Sequence, residues 1–403
     1  MWIHAVLCVV SAGQWNIHAA VSLQERAGKV QEQQATSRVE SAFLTLSRVA
    51  PSVHVGFQGQ EHGWNVSYEP QLTLRWPQGT HQVRSLHQGN AGWVWQHKRR
   101  VWKTSLQSTW TEGLLDRIDV MGRSEVLNNV SSQVLRSPVQ HYRYGHAMFQ
   151  AQRMMNRRWN LGVHASGTHT ALWDPLQETA STRMLQQRYQ GGVQLQWSKT
   201  SAHQWVWEVD VGRVAFVGTS VYHNVDMKMR WSHAQGVRKV YVEAGAVYAS
   251  PETFLGVSKA RVLPVLGAGY ESWWLRKGER GLKWSGGIRV DPLYDMFSAR
   301  VEPRVDIQGT LVWVMHPRWS WSNTCVLRHV LWGKQWLKTQ GQGDDAWALA
   351  STGVQYHVGA QWYVQAGVQG LLRVREHRSD HTHRQQQQYY GYVSMTGRMG
   401  FLE

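Results

Sequence analysis

From about Trp64 to Phe401 the chain is made of short runs in which apolar and polar residues alternate one for one, divided by clusters of Gly, Asn, Asp, Pro and His. A period of two sends successive side chains to opposite faces of an extended backbone, so each run specifies a strand with one apolar and one polar face. Ser298 to Thr310 is the clearest: Arg300, Glu302, Arg304, Asp306 and Gln308 share one parity, and Ala299, Val301, Val305 and Ile307 the other. The same alternation recurs at Tyr189 to Trp197, Val225 to Trp231, Val240 to Tyr248, Leu282 to Val290, Gly359 to Val368 and Tyr389 to Phe401. A long series of such strands with no helices between them must close on itself or split into a sandwich. Pro303, inside the best run, removes a ladder donor and predicts a bulge there; Pro70, Pro264 and Pro317 raise the same question on a smaller scale.

Hydropathy decides between the closed and the split sheet only together with the aromatic residues. The mean hydropathy is −0.45 and no apolar run approaches the roughly 18 to 20 residues that a membrane-spanning helix needs. A β-barrel remains compatible with that value, because only alternate residues of its strands meet lipid. The chain carries 24 Trp and 14 Tyr, many near the ends of runs, and these side chains favour the bilayer interface, where an apolar ring and a polar N–H or O–H each find a suitable side. A propeller would show a recurring motif every 40 residues or so, and none is found. The expected fold is therefore all-β: a single closed antiparallel transmembrane β-barrel of about 16 to 18 strands, preceded by a short N-terminal periplasmic lead.

The N-terminal stretch is expected to divide in two. Residues 1–20, with the apolar segment Ala5 to Ala12 and then Ile17-His18-Ala19-Ala20, have the layout of a secretory signal peptide. Residues 21–60 begin rich in Gln, Glu, Arg and Ser, with helical spacing at Val39, Phe43 and Leu46, and are assigned to the lead; 61–403 are assigned to the barrel. Removal of the signal peptide, with Cys8, leaves Cys325 alone, so no intramolecular disulfide is expected and the sheet must be stable by itself.

The formal charge is +16, from 43 Lys and Arg against 27 Asp and Glu. The basic residues are scattered singly, Lys98-Arg99-Arg100 being the densest run, and no nucleic-acid-binding motif accompanies them, so nucleic acid is not an expected partner. Within a barrel the same charge suits a lumen that attracts anions. Glu208, Asp210, Lys228, Arg230, Glu243, Arg289, Arg300, Glu302, Arg304 and Asp306 would face one side if the runs are in register. That side is the lumen, since Arg or Lys facing lipid at mid-bilayer costs about 2 to 4 kcal/mol. These ten are the candidate pore-lining residues. They serve either as a ladder of charge pairs stiffening the wall or as a constriction that selects anionic solutes. The pairs Trp93/Trp95, Trp205/Trp207 and Trp319/Trp321 are expected on the lipid side, Trp205 and Trp207 being opposite in parity to Glu208 and Asp210.

Chemistry beyond a pore has little footing in the sequence. The cluster His377-Arg378-Ser379-Asp380-His381-Thr382-His383 could hold Zn or Cu through His377, Asp380, His381 and His383, but reads as a polar loop. No HExxH, CxxC or P-loop is present, and no cofactor, metal or catalytic residue is expected.

The segment Trp64-Asn65-Val66-Ser67-Tyr68-Glu69-Pro70-Gln71-Leu72, followed by Arg- and Trp-rich hairpins, resembles outer-membrane barrels of the myxobacterial, porin-like type. Gly391, Val393, Met395, Gly397, Met399 and Phe401 share a parity resembling the closing strand read by the barrel assembly machinery, although Leu402 and Glu403 follow the aromatic residue. What the resemblance implies is the barrel component of polysaccharide export, set in outer-membrane lipid and partnered with a periplasmic polysaccharide export protein. The expected function is a pore or conduit for a polar solute or polymer, an anionic one included. The alternatives are a non-conducting structural or adhesive barrel, plugged by residues 21–60 or by inward loops, and an outer-membrane barrel hydrolase.

Overall fold

The computed structural model describes residues 14–33, 39–76, 82–96, 102–116, 139–173, 184–216, 220–252, 260–277, 280–295, 300–330, 342–359, 361–377 and 382–402. They form eighteen strands. The first six are β1 (Gln14–Gln33), β2 (Val39–Gln58), β3 (His62–Trp76), β4 (Gln82–Gln96), β5 (Trp102–Asp116) and β6 (Val139–Met154). Then come β7 (Trp159–Trp173), β8 (Met184–Ser198), β9 (His203–Phe216), β10 (Ser220–Gln235), β11 (Arg238–Glu252) and β12 (Arg261–Lys277). The last six are β13 (Arg280–Asp295), β14 (Arg300–His316), β15 (Trp319–Val330), β16 (Gln342–His357), β17 (Trp362–His377) and β18 (Thr382–Leu402). Each strand pairs antiparallel with the next, and β1 pairs with β18 from Ile17↔Leu402 to Gln33↔Gln385, which closes the sheet. The fold is thus a single closed antiparallel barrel at the upper end of the expected strand number.

Closure leaves the wall two faces. On one, Val209, Val211, Met227, Met229, Val242, Leu266, Ile288, Ile307 and Leu327 are exposed. On the other, Asp210, Asp226, Glu243, Glu302 and Arg304 are buried. In a barrel the shielded face is the concave one, so the charges line the interior and the aliphatic side chains form an outer belt. Tryptophans gather on the outer face at the rim that carries the short turns and both chain ends. Trp15 lies against Phe57 and Trp64, and Trp159 against Trp197 and Trp207, with ring centroids 5.3 to 6.2 Å apart. At this rim Gly236, with φ 58°, supplies the left-handed backbone that the tight β10–β11 turn requires.

Two expectations change. Residues 14–33 and 39–58 form wall strands, so the stretch assigned to a periplasmic lead is part of the barrel, and β1 starts within the stretch assigned to the signal peptide. The helical spacing was coincidental: Leu46 is an inward-facing strand residue opposite Arg26 of β1. As wall strands, the described residues of this stretch do not fill the interior. Pro303, second, produces no bulge against β13, where it lies opposite Pro292 in unbroken register. Opposed prolines keep an antiparallel ladder intact when their rung is one that exchanges no hydrogen bonds.

Candidate functional site

The interior of β9 to β15 carries a ladder of charges, built by the register of neighbouring strands. Asp210 of β9 lies opposite Gly192 of β8 and Asp226 of β10, and Glu208 opposite Lys228. The Lys228 ammonium stands between two carboxylates, 3.8 Å from Asp210 and 3.6 Å from Asp226. Gln190 donates to Asp210 Oδ2 at 2.7 Å and receives a hydrogen bond from Arg188 at 2.9 Å. One rung along, Arg230 Nε donates to Glu243 Oε2 at 2.8 Å, and Arg289 approaches Glu243 from β13 at 3.6 Å. Arg289 also lies 3.6 Å from Asp291, Arg304 joins Asp291 (2.7 Å) to Asp306 (3.0 Å), and Arg328 completes the series on Asp306 at 2.9 Å. Arg261 of β12 pairs separately with Glu302 at 3.0 Å.

Within these pairs the two signs are not equally placed. The side chains of Arg230, Arg289 and Arg261 are 51%, 47% and 41% exposed, whereas their partners Glu243 and Glu302 are 4% and 1% exposed. Carboxylates are set against the wall and guanidinium groups stand in front of them. Arg304 and Arg328 are the exceptions, both nearly buried within the ladder. A solute in the interior therefore meets positive charge first along this sector, although the pairs are close to neutral in sum.

The wall also reaches inward. The β12–β13 ladder runs from the turn only to Leu266↔Val290, two residues short of Pro264 and Pro292, which would face each other next and bring no N–H on either side. Beyond this point the β13–β14 hairpin leaves β12, and residues of both its parities, Leu293 and Tyr294, Val301 and Glu302, become buried. Tyr294 and Val301 pack with Val214 and Phe216 of β9, Tyr222 of β10, Ala249 of β11 and Leu263 of β12. Gln186 of β8 donates to the Tyr294 carbonyl at 3.1 Å, and the Arg188 guanidinium lies 5.2 Å from the centre of the Tyr294 ring. Strands β8 and β13 are not neighbours in the sheet, so these contacts cross the interior and narrow it near the rim opposite the chain termini.

The sector from β1 to β5 has a different chemistry. A cavity of roughly 1490 Å³ at the terminal rim is lined on its inner side by amides and imidazoles, among them Asn16, His18, His54, Asn65, Asn90 and Gln107. Glu61 and Lys103 border it too, so many neutral donors and acceptors stand beside one charge of each sign, a lining that suits a hydroxylated ligand.

Of the ten residues singled out from sequence, Glu208, Asp210, Lys228, Arg230, Glu243, Arg289, Glu302, Arg304 and Asp306 share the inner face, and all but Glu302 belong to the ladder of β9 to β15; Glu302 is held apart by Arg261. Arg300 begins β14, but its side chain lies outside the described residues, as do those of His377, Asp380, His381 and His383. Sequence reasoning missed His164, Asp291, Arg261, Arg328 and the Tyr294 contact. The first four sit at inward parity in recognisable runs, but which charge meets which depends on register between strands. The Tyr294 contact had a visible signal in Pro264 and Pro292. Trp205 and Trp207 stack with centroids 6.3 Å apart on the outer face, as expected from their parity.

No protein-family model matches the chain, and no curated protein matches it in sequence. Among solved structures it is similar to the FrpB iron transporter from Neisseria meningitidis, at 7% identity and a TM-score of 0.50, with 94% of this chain and 64% of that one covered. The chain thus spans less than two thirds of the length of FrpB. It is similar also to OpdL of Pseudomonas aeruginosa, at 11% identity and a TM-score of 0.48, and to OccAB4 of Acinetobacter baumannii, at 8% and 0.46, each match covering 96% of this chain and 99% of the other. What is shared at such identities is the fold: the closed β-barrel of outer-membrane porins and transporters.

Proposed function

We propose that the protein is an outer-membrane conduit for a polar, anionic solute or polymer, with secretion of an acidic polysaccharide as the most specific form of this reading. The observation that carries it is the ordering of charge on the inner wall, where exposed arginines stand before buried carboxylates. The outer aliphatic belt and the tryptophans at the rim of the chain ends support a place in a bilayer, with that rim toward the periplasm. The amide-lined cavity of the β1–β5 sector supports a sugar chain over a compact ion, since hydroxyl groups need many neutral partners. The barrel assembly machinery and a periplasmic export protein are the partners this function calls for. The test is ion selectivity in planar bilayers under a salt gradient. The wild type passes anions in preference to cations, and the double variant Arg230→Gln, Arg289→Gln lowers the permeability ratio by about two-fold or more. A cation-selective channel would overturn the reading. A second reading, a barrel closed at rest, is favoured by the inward β13–β14 hairpin and makes its own prediction below.

A further inference from the structure

We infer that the inner wall holds a binding site for a divalent transition-metal ion, formed by His164 of β7 with Glu208 and Asp210 of β9. One imidazole nitrogen and two carboxylate oxygens lie within 4.8 Å of one another, close enough for a single ion to gather all three. His164 Nε2 is 2.8 Å from Asp210 Oδ1, an approach that does not have the geometry of a hydrogen bond, and Asp210 is fully buried. A ring nitrogen and a carboxylate oxygen at that distance repel unless a proton or a cation lies between them. With no N–H directed along the line, both lone pairs can converge on a common point, which is the arrangement of two metal ligands. The other oxygen, Oδ2, accepts a hydrogen bond from Gln190 at 2.7 Å, which fixes the orientation of the carboxylate.

Space and charge agree with this assignment. A Cβ on Gly192, opposite Asp210, would stand 1.8 Å from Oδ1, so the glycine is what lets this oxygen occupy its place. Glu208, Asp210 and the buried Asp226 bring three carboxylates to one patch, and Lys228 is the cation that bridges two of them. Counted formally, three carboxylates and one ammonium leave the patch at −2, which a divalent ion cancels. One imidazole and two carboxylates suit Zn²⁺, Co²⁺ or Mn²⁺ over Ca²⁺ or Mg²⁺, which favour all-oxygen sites. His164 remains partly open to the interior, which gives the ion an approach. The site requires the closed barrel but not conduction.

The untagged full-length barrel, refolded in detergent, is titrated with Co²⁺ and read by visible absorption, with Zn²⁺ as competitor. One equivalent of Co²⁺ develops a ligand-field band that Zn²⁺ abolishes. His164→Ala and Glu208→Gln each weaken binding at least ten-fold, and Gly192→Ala, which displaces Oδ1 and leaves all three ligands in the chain, does the same. Lys228→Met separates metal binding from simple ion pairing: removing the competing cation tightens Co²⁺ binding, whereas a purely structural lysine would leave it unchanged. Heat-modifiable mobility on gels establishes that each variant is folded. An absent band in the wild type, or binding retained in folded His164→Ala, which would assign the metal to other histidines such as His203 and His233, overturns the inference.

Discussion

The inner wall shows how differently the same ion pair behaves with its surroundings. Arg304 is almost buried and bridges Asp291 and Asp306, so replacing it leaves two carboxylates in a shielded setting with one partner fewer. Breaking such a group by removing one member costs roughly 3 to 5 kcal/mol. Arg304→Met is therefore expected to lower the urea midpoint of the refolded barrel markedly, followed by tryptophan fluorescence. Arg143→Gln, which breaks an exposed pair with Glu112, should change stability by less than about 1 kcal/mol. Equal losses in the two variants would mean that the ladder is no more than a set of surface pairs. Residue by residue, alternation made the inward charges legible: parity alone places Glu208, Asp210, Lys228 and Arg230 on one face. It could not show that Asp306 would be shared by Arg304 and Arg328, because that depends on the stagger between β14 and β15, set by the turn between them.

Prolines shape the strands as elements. Pro264 and Pro292 end the β12–β13 ladder at Leu266↔Val290, and the freed β13–β14 tip folds against β8 to β10. A related interruption separates Val49↔Leu72 from Val53↔Tyr68 in the β2–β3 ladder, where Pro51 and Pro70 would meet. Pro264 and Pro70, isolated doubts in the sequence, thus each meet a second proline across a break in the ladder, whereas Pro303 leaves its β13 ladder whole. Tyr294 anchors the inward tip through its ring and its carbonyl, and Tyr294→Ala removes the ring from the cluster and the surface on which Arg188 rests. Single-channel conductance of this variant should rise several-fold, or channels should open more often, while the wild type stays small or mostly closed. Identical traces from the two proteins would show that the tip does not limit passage. The first two strands are the opposite case, an element hidden by its own sequence. The outer face of β1 offers Trp15, Ile17, Ala19, Val21 and Leu23 before it turns polar at Glu25, but reading residues 1–20 as a signal peptide cuts this stripe at Ala20 and leaves too little of it to register as alternation. Its place is fixed by two neighbours that the sequence does not adjoin to it in any visible way: β18, from the far end of the chain, and β2. Should the chain be cut after Ala20, the rungs from Val21↔Gly397 to Gln33↔Gln385 would still close the barrel.

For the whole molecule, the formal charge of +16 and the local ladder must be distinguished as sources of anion preference. Ladder pairs nearly cancel at a distance, so any preference they give arises close to the wall, where an exposed guanidinium lies nearer a passing solute than the carboxylate behind it. Excess charge spread over the molecule acts further away and is screened by salt, with a Debye length of about 10 Å at 0.1 M and about 3 Å at 1 M. Reversal potentials measured at both ionic strengths, with the same concentration ratio across the bilayer, separate the two contributions. If the arginines in front of Glu243 and Glu302 govern selectivity, a substantial anion preference survives at 1 M, because a solute in a narrowed interior passes within a few ångströms of them. The Arg230→Gln, Arg289→Gln variant should then lose most of what survives. A preference that vanishes at 1 M in the wild type would instead attribute selectivity to the general field of a basic protein, and would leave the inner ladder with the mechanical task of holding β9 to β15 in register.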